Sequence, residues 1–161
     1  MQCVSMKKGD MIMKIGVIAA NGKVGRLFVK EALERGMDVT AIVRSANRTE
    51  AKKVIQMDLL ALPRVGREGC DVVVDAFGIW DDEKMNLHSV SLNQLADILS
   101  GSSTRLLVVG GAGSLYMDKA HSQRLFETAD FPKDYLPVSR GQGKSLDELR
   151  KSNDEKGPYS S

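Results

Sequence analysis

Residues 13–25 read MKIGVIAANGKVG, and this stretch restricts the fold more than any other in the chain. Ile15, Val17 and Ile18 form an apolar run with the β-branched bias of a buried strand. A turn of small residues follows, and then the spacing changes. Val24, Leu27, Phe28, Ala32 and Leu33 recur at helical intervals between charged positions, and Gly36 supplies a stop. Residues 39–43 are apolar again. Strand, helix and strand in about 30 residues describe a right-handed parallel crossover, which needs helices on the faces of the sheet.

The alternation continues. A strand is expected at residues 53–57, then a weak helix or turn over residues 59–69 that Pro63 and Gly66 interrupt. DVVVDAF at residues 71–77 suits a central parallel strand, residues 85–99 a helix, and residues 105–109 a fifth strand running into GGAGS. Beyond Tyr116 the pattern loosens. Residues 123–129 suggest a short helix, DFPKDYLP is rich in turn formers, and residues 144–151 form a charged amphipathic segment with Leu146 and Leu149 on one side. The expected organisation is an N-terminal extension at 1–12, one domain at 13–152 and a flexible tail at 153–161, with Met13 as an alternative start.

At 161 residues, 42% hydrophobic and 27% charged, the chain has the composition of one globular domain. Its 23 basic and 21 acidic residues are too balanced to act as a nucleic-acid footprint. Cys3 and Cys70 offer neither metal-ligand spacing nor a disulfide framework, so no metal site and a reducing cytoplasm are expected. No apolar segment at the start is long enough for a signal peptide or membrane helix, and no membrane partner is expected.

The chemistry gathers where strands give way to turns. Ala19, Asn21, Gly22, Lys23, Val24 and Gly25 surround the turn into the first helix, where backbone amides and the helix dipole can receive a pyrophosphate. Gly22 would permit close approach of phosphate, Gly25 close packing of helix on strand, and Asn21 a side-chain bond holding the turn. Arg44 and Ser45 end the second strand where an acid would select NAD, and a guanidinium there suits the 2′-phosphate of NADP, with NAD the alternative cofactor. Asp58 either accepts from an adenine amino group or caps its own loop. Ala76, Phe77 and Gly78 end the fourth strand, and Gly111 follows the fifth. Ser114 and Tyr116 are the hydroxyls best placed to orient a substrate, although neither has a neighbour that would activate it. His88 and His121 are weaker acid–base candidates.

These segments resemble the atypical short-chain dehydrogenase/reductase group, specifically the NAD(P)-binding NADH-flavin reductases related to biliverdin reductase B. The resemblance rests on MKIGVIAANGKVG, DVTAIVR at residues 38–44, Asp58, DVVVDAFG at 71–78, RLLVVGGAGSLY at 105–116, and FPKDYLP followed by SLDELRKS at 145–152. It implies a three-layer Rossmann-like α/β fold with a mostly parallel sheet in the order 3-2-1-4-5. It further implies hydride transfer from NADPH, favoured by Arg44, to a flavin or similar small planar redox acceptor. Direct hydride transfer relies on positioning more than on a strong protein base.

The chain departs from the group in three ways. Ala19-Ala20-Asn21-Gly22 replaces the usual GATG. The Tyr-x-x-x-Lys pair of alcohol-oxidising dehydrogenases and epimerases is absent, since Ala120 and Ser139 stand four residues after Tyr116 and Tyr135, which disfavours those reactions. The group also continues into a further strand after the helix matched by 145–152. Without it a sheet edge would lie uncovered, which invites a homodimer. The competing reading is a non-catalytic NADP-binding redox sensor or regulatory protein. A cofactor-free remnant is the third.

Overall fold

The computed structural model describes residues 11–61 and 69–156, the last four as backbone only. The expectations for residues 1–10, including Cys3, for 62–68, with Pro63 and Gly66, and for 157–161 lie outside the described residues. Five parallel strands form one sheet: β1 (Lys14–Ile18), β2 (Asp38–Val43), β3 (Lys53–Gln56), β4 (Val72–Asp75) and β5 (Arg105–Val108). Their order, β3-β2-β1-β4-β5, is the expected one, with the reversal of direction falling between β1 and β4. β1 registers Val17 against Ala41 on one side and Val74 on the other.

Three helices cover the sheet: α1 (Lys23–Glu34), α2 (Leu87–Leu99) and α3 (Leu136–Lys156). Alternation along the strands sends side chains to opposite faces. Val17, Ala41, Val43 and Val74 pack with Val29 and Ala32 of α1, whereas Ile18, Ile42 and Val73 pack with Leu95, Ile98 and Leu99 of α2. Both faces are therefore dry, which is why the strands read as continuous apolar runs. Gly36, at φ +75, stops α1 as expected.

The region after β5 differs from its sequence reading. α3 begins at Leu136, well before the amphipathic segment at 144–151, and continues past residue 152. Pro137 sits in its first turn, where proline is tolerated. Gly141 and Gly143 hid its helical signal, and packing explains both. A Cβ at Gly141 would lie 3.3 Å from the His88 ring, and one at Gly143 3.1 Å from Phe126. The helix expected at 123–129 is a single 3₁₀ turn, Leu125–Glu127. Arg124 ties this lobe to α3, donating to both carboxylate oxygens of Asp147 at 2.6 and 3.0 Å. That pairing holds the Asp147 carboxyl below its usual range. Among the described residues β5 is an outer strand, and Leu107 and Val108 on it are exposed.

Candidate functional site

Parallel strands discharge all five of their following loops at one edge of the sheet, so topology alone collects most of the predicted residues. Residues 19–22 follow β1, Arg44 and Ser45 follow β2, Asp58 follows β3, residues 76–78 follow β4 and residues 110–114 follow β5.

The first loop is the tightest. Gly22 donates its N–H to the Ala19 carbonyl at 2.9 Å and forms the N-cap of α1. Gly25 is buried one turn into the helix, where a Cβ would stand 2.5 Å from the Ala19 oxygen and 2.8 Å from the Ala20 Cα. The predicted close packing of helix on strand is thus what makes this glycine necessary. Ala19 occupies the left-handed region at φ +54, a conformation that favours glycine. Neither a side-chain cap nor an acidic residue in its first turn serves the N-terminus of α1. Its leading amides are left for an outside acceptor, which suits a pyrophosphate.

The Asn21 side chain, expected to hold its own turn, reaches across to the next loop instead. Its Nδ2 donates to the Ala46 carbonyl at 2.9 Å and to Ser45 Oγ at 3.3 Å, and its Oδ1 accepts from the Arg48 N–H at 2.8 Å. The glycine turn and the loop carrying Arg44 and Ser45 are one unit. The Arg44 side chain is exposed. Lys23, Arg26 and Lys30 of α1 line a separate cleft with Arg48 and Glu50, a mainly basic grouping in which Arg26 and Lys30 were not expected as site residues. Asp58 caps its loop, accepting from the Leu60 N–H at 2.9 Å.

The β4–β5 side is more open. A cavity of about 490 Å³ lies between the sheet edge, α2 and α3, lined by Asp75, Phe77, Gly111, Ser114, Gln142 and Leu146 among others. Ala76 is half-buried at the same edge, and Gly78 is exposed. Gly111 and Gly113 let α3 approach the loop: a Cβ at Gly113 would lie 2.6 Å from Ser139 Oγ, and one at Gly111 would collide with Gln142. Ser114 faces the cavity and donates to the Gly111 carbonyl at 3.2 Å. Tyr116 is held elsewhere, its hydroxyl accepting from Arg124 Nη2 at 3.2 Å and its ring stacked on His121. The two predicted hydroxyls are therefore not brought together.

The sequence reading passed over Asp75. It ends β4, is 4% exposed, and accepts a hydrogen bond from the Phe77 N–H at 3.0 Å. Burial raises its pKa from 3.8 to about 6, only partly opposed by that N–H. A lone carboxylate closing a β-branched run was the available signal. Next to it, His88 is buried with Nε2 3.2 Å from the Ile79 carbonyl, which only accepts, so Nε2 carries the proton. Phe77 meets the imidazole ring edge-on.

Residues 19–153 match the family described as NAD(P)H-binding. The chain belongs to that family. Over 144 residues it is 43% identical to the uncharacterized protein YwnB of Bacillus subtilis strain 168, a match covering 88% of this chain and 67% of that one. SP1627 of Streptococcus pneumoniae TIGR4, described as a candidate NADH-flavin reductase, has a similar solved structure. It superposes with a TM-score of 0.85 at 46% identity, over 88% of this chain and 67% of its own. A Bacteroides thetaiotaomicron structure described as a candidate epimerase gives 0.70 at 31% identity, over 84% and 63%. The chain thus spans about two thirds of the length of these relatives. No helix among the described residues is long and apolar enough to cross a membrane, and no cluster of metal-binding side chains occurs among them.

Proposed function

We propose that this NAD(P)H-dependent oxidoreductase takes hydride from NADPH to a flavin or similar planar acceptor in the cavity beside β4 and β5. The supporting observation is the juxtaposition of two unlike sites on one sheet edge. An amide-rich, uncapped helix terminus stands beside β1, and a largely apolar cavity of about 490 Å³ stands beside β5. The name of SP1627 agrees with a flavin acceptor. In this reading residues 19–25 receive the pyrophosphate, and Arg44 and Ser45 meet the 2′-phosphate. Asp58, with one oxygen engaged by Leu60, turns the other to the adenine. Residues 76–78 and Gly111 border the nicotinamide, and Ser114 orients the acceptor. Bound nucleotide supplies the hydride; the chain's part is to hold the two planar groups face to face without water.

Titration of the protein with NADPH and NADH, followed by FMN or a quinone, tests the reading. NADPH should bind more tightly, and its absorbance should fall only once the acceptor is present. Binding of neither nucleotide would sink the proposal, and tight binding without oxidation would favour a redox sensor. Arg44→Ala should weaken NADPH about tenfold while sparing NADH, since it removes one charge-assisted phosphate contact. Equal loss for both nucleotides would count against the 2′-phosphate assignment.

A further inference from the structure

The cavity contains one feature that hydride transfer from a nucleotide does not by itself explain. Among the described residues Asp75 is the only carboxyl on its wall, and one of its oxygens is engaged by the Phe77 N–H. Among the described residues the other oxygen has no hydrogen-bond partner. The remaining wall is mostly carbon from Phe77, Leu92, Leu115, Leu146 and Leu149, with the neutral amide of Gln142 and the hydroxyls of Ser91, Ser114 and Ser145. A carboxyl group so placed is costly unless it has a task or a partner.

The charged groups nearby do not provide that partner. From α2 the cavity receives His88, whose Nε2 proton is directed at the Ile79 carbonyl. On α3, Asp147 is engaged by Arg124 and Glu148 by Asn93 and Lys144, and neither these nor Arg140 and Arg150 line the cavity. The loop at 110–115 contributes no titratable side chain. Nor does any cation figure among the influences on Asp75, which are burial and the one N–H.

We propose that Asp75 is the acid of this site, donating its proton to a carbonyl oxygen or ring nitrogen of the planar acceptor as that acceptor receives hydride. The inference rests on the oxidoreductase reading above and adds to it the acceptor's class: a ligand with a hydrogen-bond-accepting heteroatom conjugated to the reducible position, as in an isoalloxazine or a quinone. The balance is complete. The C–H bond at the nicotinamide breaks with its electron pair, and a bond from hydrogen to the acceptor forms. Asp75 O–H breaks, its proton passes to the acceptor heteroatom, and the carboxylate is reprotonated from solvent. The acceptor thereby gains two electrons and two hydrogens, and NADPH becomes NADP⁺. A group that titrates close to neutrality is suited to this exchange.

The test uses oxidised lumiflavin, which carries no group that titrates near neutrality and so isolates the protein's contribution. Lumiflavin fluorescence is titrated with the full chain without nucleotide. Wild-type affinity should fall about tenfold per pH unit above about pH 6, and affinity of Asp75→Asn, which keeps the shape but cannot ionise, should be flat. With NADPH added at pH 6, Asp75→Asn should turn over about 100-fold more slowly at unchanged NADPH affinity. Thermal unfolding of the variant confirms that it is folded. Absent lumiflavin binding, a pH-independent wild-type affinity, or an Asp75→Asn rate within about threefold of wild type would each overturn the proposal. Asp75-dependent lumiflavin binding without NADPH oxidation would instead uphold the contact and remove the oxidoreductase reading on which the hydride step depends.

Discussion

The two halves of the sheet edge solve opposite problems. On the β1–β2 side the chain is packed to the limit: Gly25 leaves no room for a methyl group, and Asn21 has both ends of its amide engaged. On the β4–β5 side there is open space, and a buried carboxyl has one backbone partner. A fixed cradle suits a nucleotide that always binds in one way, whereas slack suits an exchangeable partner. The contrast places rigidity where a cofactor would be gripped and stored cost where chemistry would occur.

The largest expected effect breaks the rigid half. Gly25→Ala would put a methyl carbon 2.5 Å from the Ala19 oxygen and 2.8 Å from the Ala20 Cα, both backbone atoms that cannot rotate aside. We expect a loss of about 3 kcal/mol or more in denaturant unfolding, together with loss of nucleotide binding. A variant as stable as wild type would show that α1 can lift from β1, and the rigidity argument would fail.

The open half should respond in the other direction. The folded state raises the Asp75 pKa from 3.8 to about 6, so between those values it binds more protons than the unfolded chain. Stability therefore falls as pH rises from about 4 to about 6, and the deficit persists above that. Asp75→Asn escapes it and should be more stable than wild type by about 2–3 kcal/mol at pH 7, the difference vanishing below about pH 4. Urea unfolding at the two pH values measures this, and a destabilised variant at pH 7 would mean that the carboxylate is paired after all.

How far the sequence foretold these halves follows from the same physics. The strands of a doubly covered parallel sheet announce themselves as apolar runs, and the turn from Ala19 to Gly25 has a spacing that few other structures need. Lys14–Ile18 and Asp38–Val43 were legible for that reason, whereas the strand order followed from the family resemblance. The first half of α3 was not legible, because Pro137, Gly141 and Gly143 lower helix propensity where tertiary contact to His88 and Phe126 decides the outcome. Asn21 was read as holding its own turn, but its partners lie about 25 residues away, and local pattern cannot reveal them. Tyr116 looked available because nothing near it in sequence engages its hydroxyl, and Arg124 arrives only through the fold. Asp75 was hidden by the strand it ends.

A smaller perturbation tests whether the two loops of the rigid half act as one. Asn21→Ala removes the acceptor for the Arg48 N–H and the donor to the Ala46 carbonyl, both partly open to solvent. The cost should be about 1 kcal/mol in unfolding. A larger loss of affinity for NADPH than for NADH should accompany it, because the loop bearing Arg44 is no longer tied to the glycine turn. If both nucleotides weaken equally, Asn21 serves the pyrophosphate turn alone.

The smallest effect concerns the position where this chain departs from the usual glycine. Ala19 sits at φ +54, where its Cβ crowds the following carbonyl at a cost of about 1–2 kcal/mol. Glycine adopts that conformation freely but loses more backbone entropy on folding, about 0.5–1 kcal/mol relative to alanine. The strain outweighs the entropy, so Ala19→Gly should stabilise the protein by about 0.5–1 kcal/mol, a shift of a few degrees in Tm for a chain of this size. The methyl of Ala19 is half-buried, and in the proposed reading it borders the pyrophosphate. Its removal should tighten NADPH and NADH alike, because the pyrophosphate is common to both. Stabilisation without tighter binding would mean that the strain at Ala19 serves the packing of Gly25 and not the approach of phosphate.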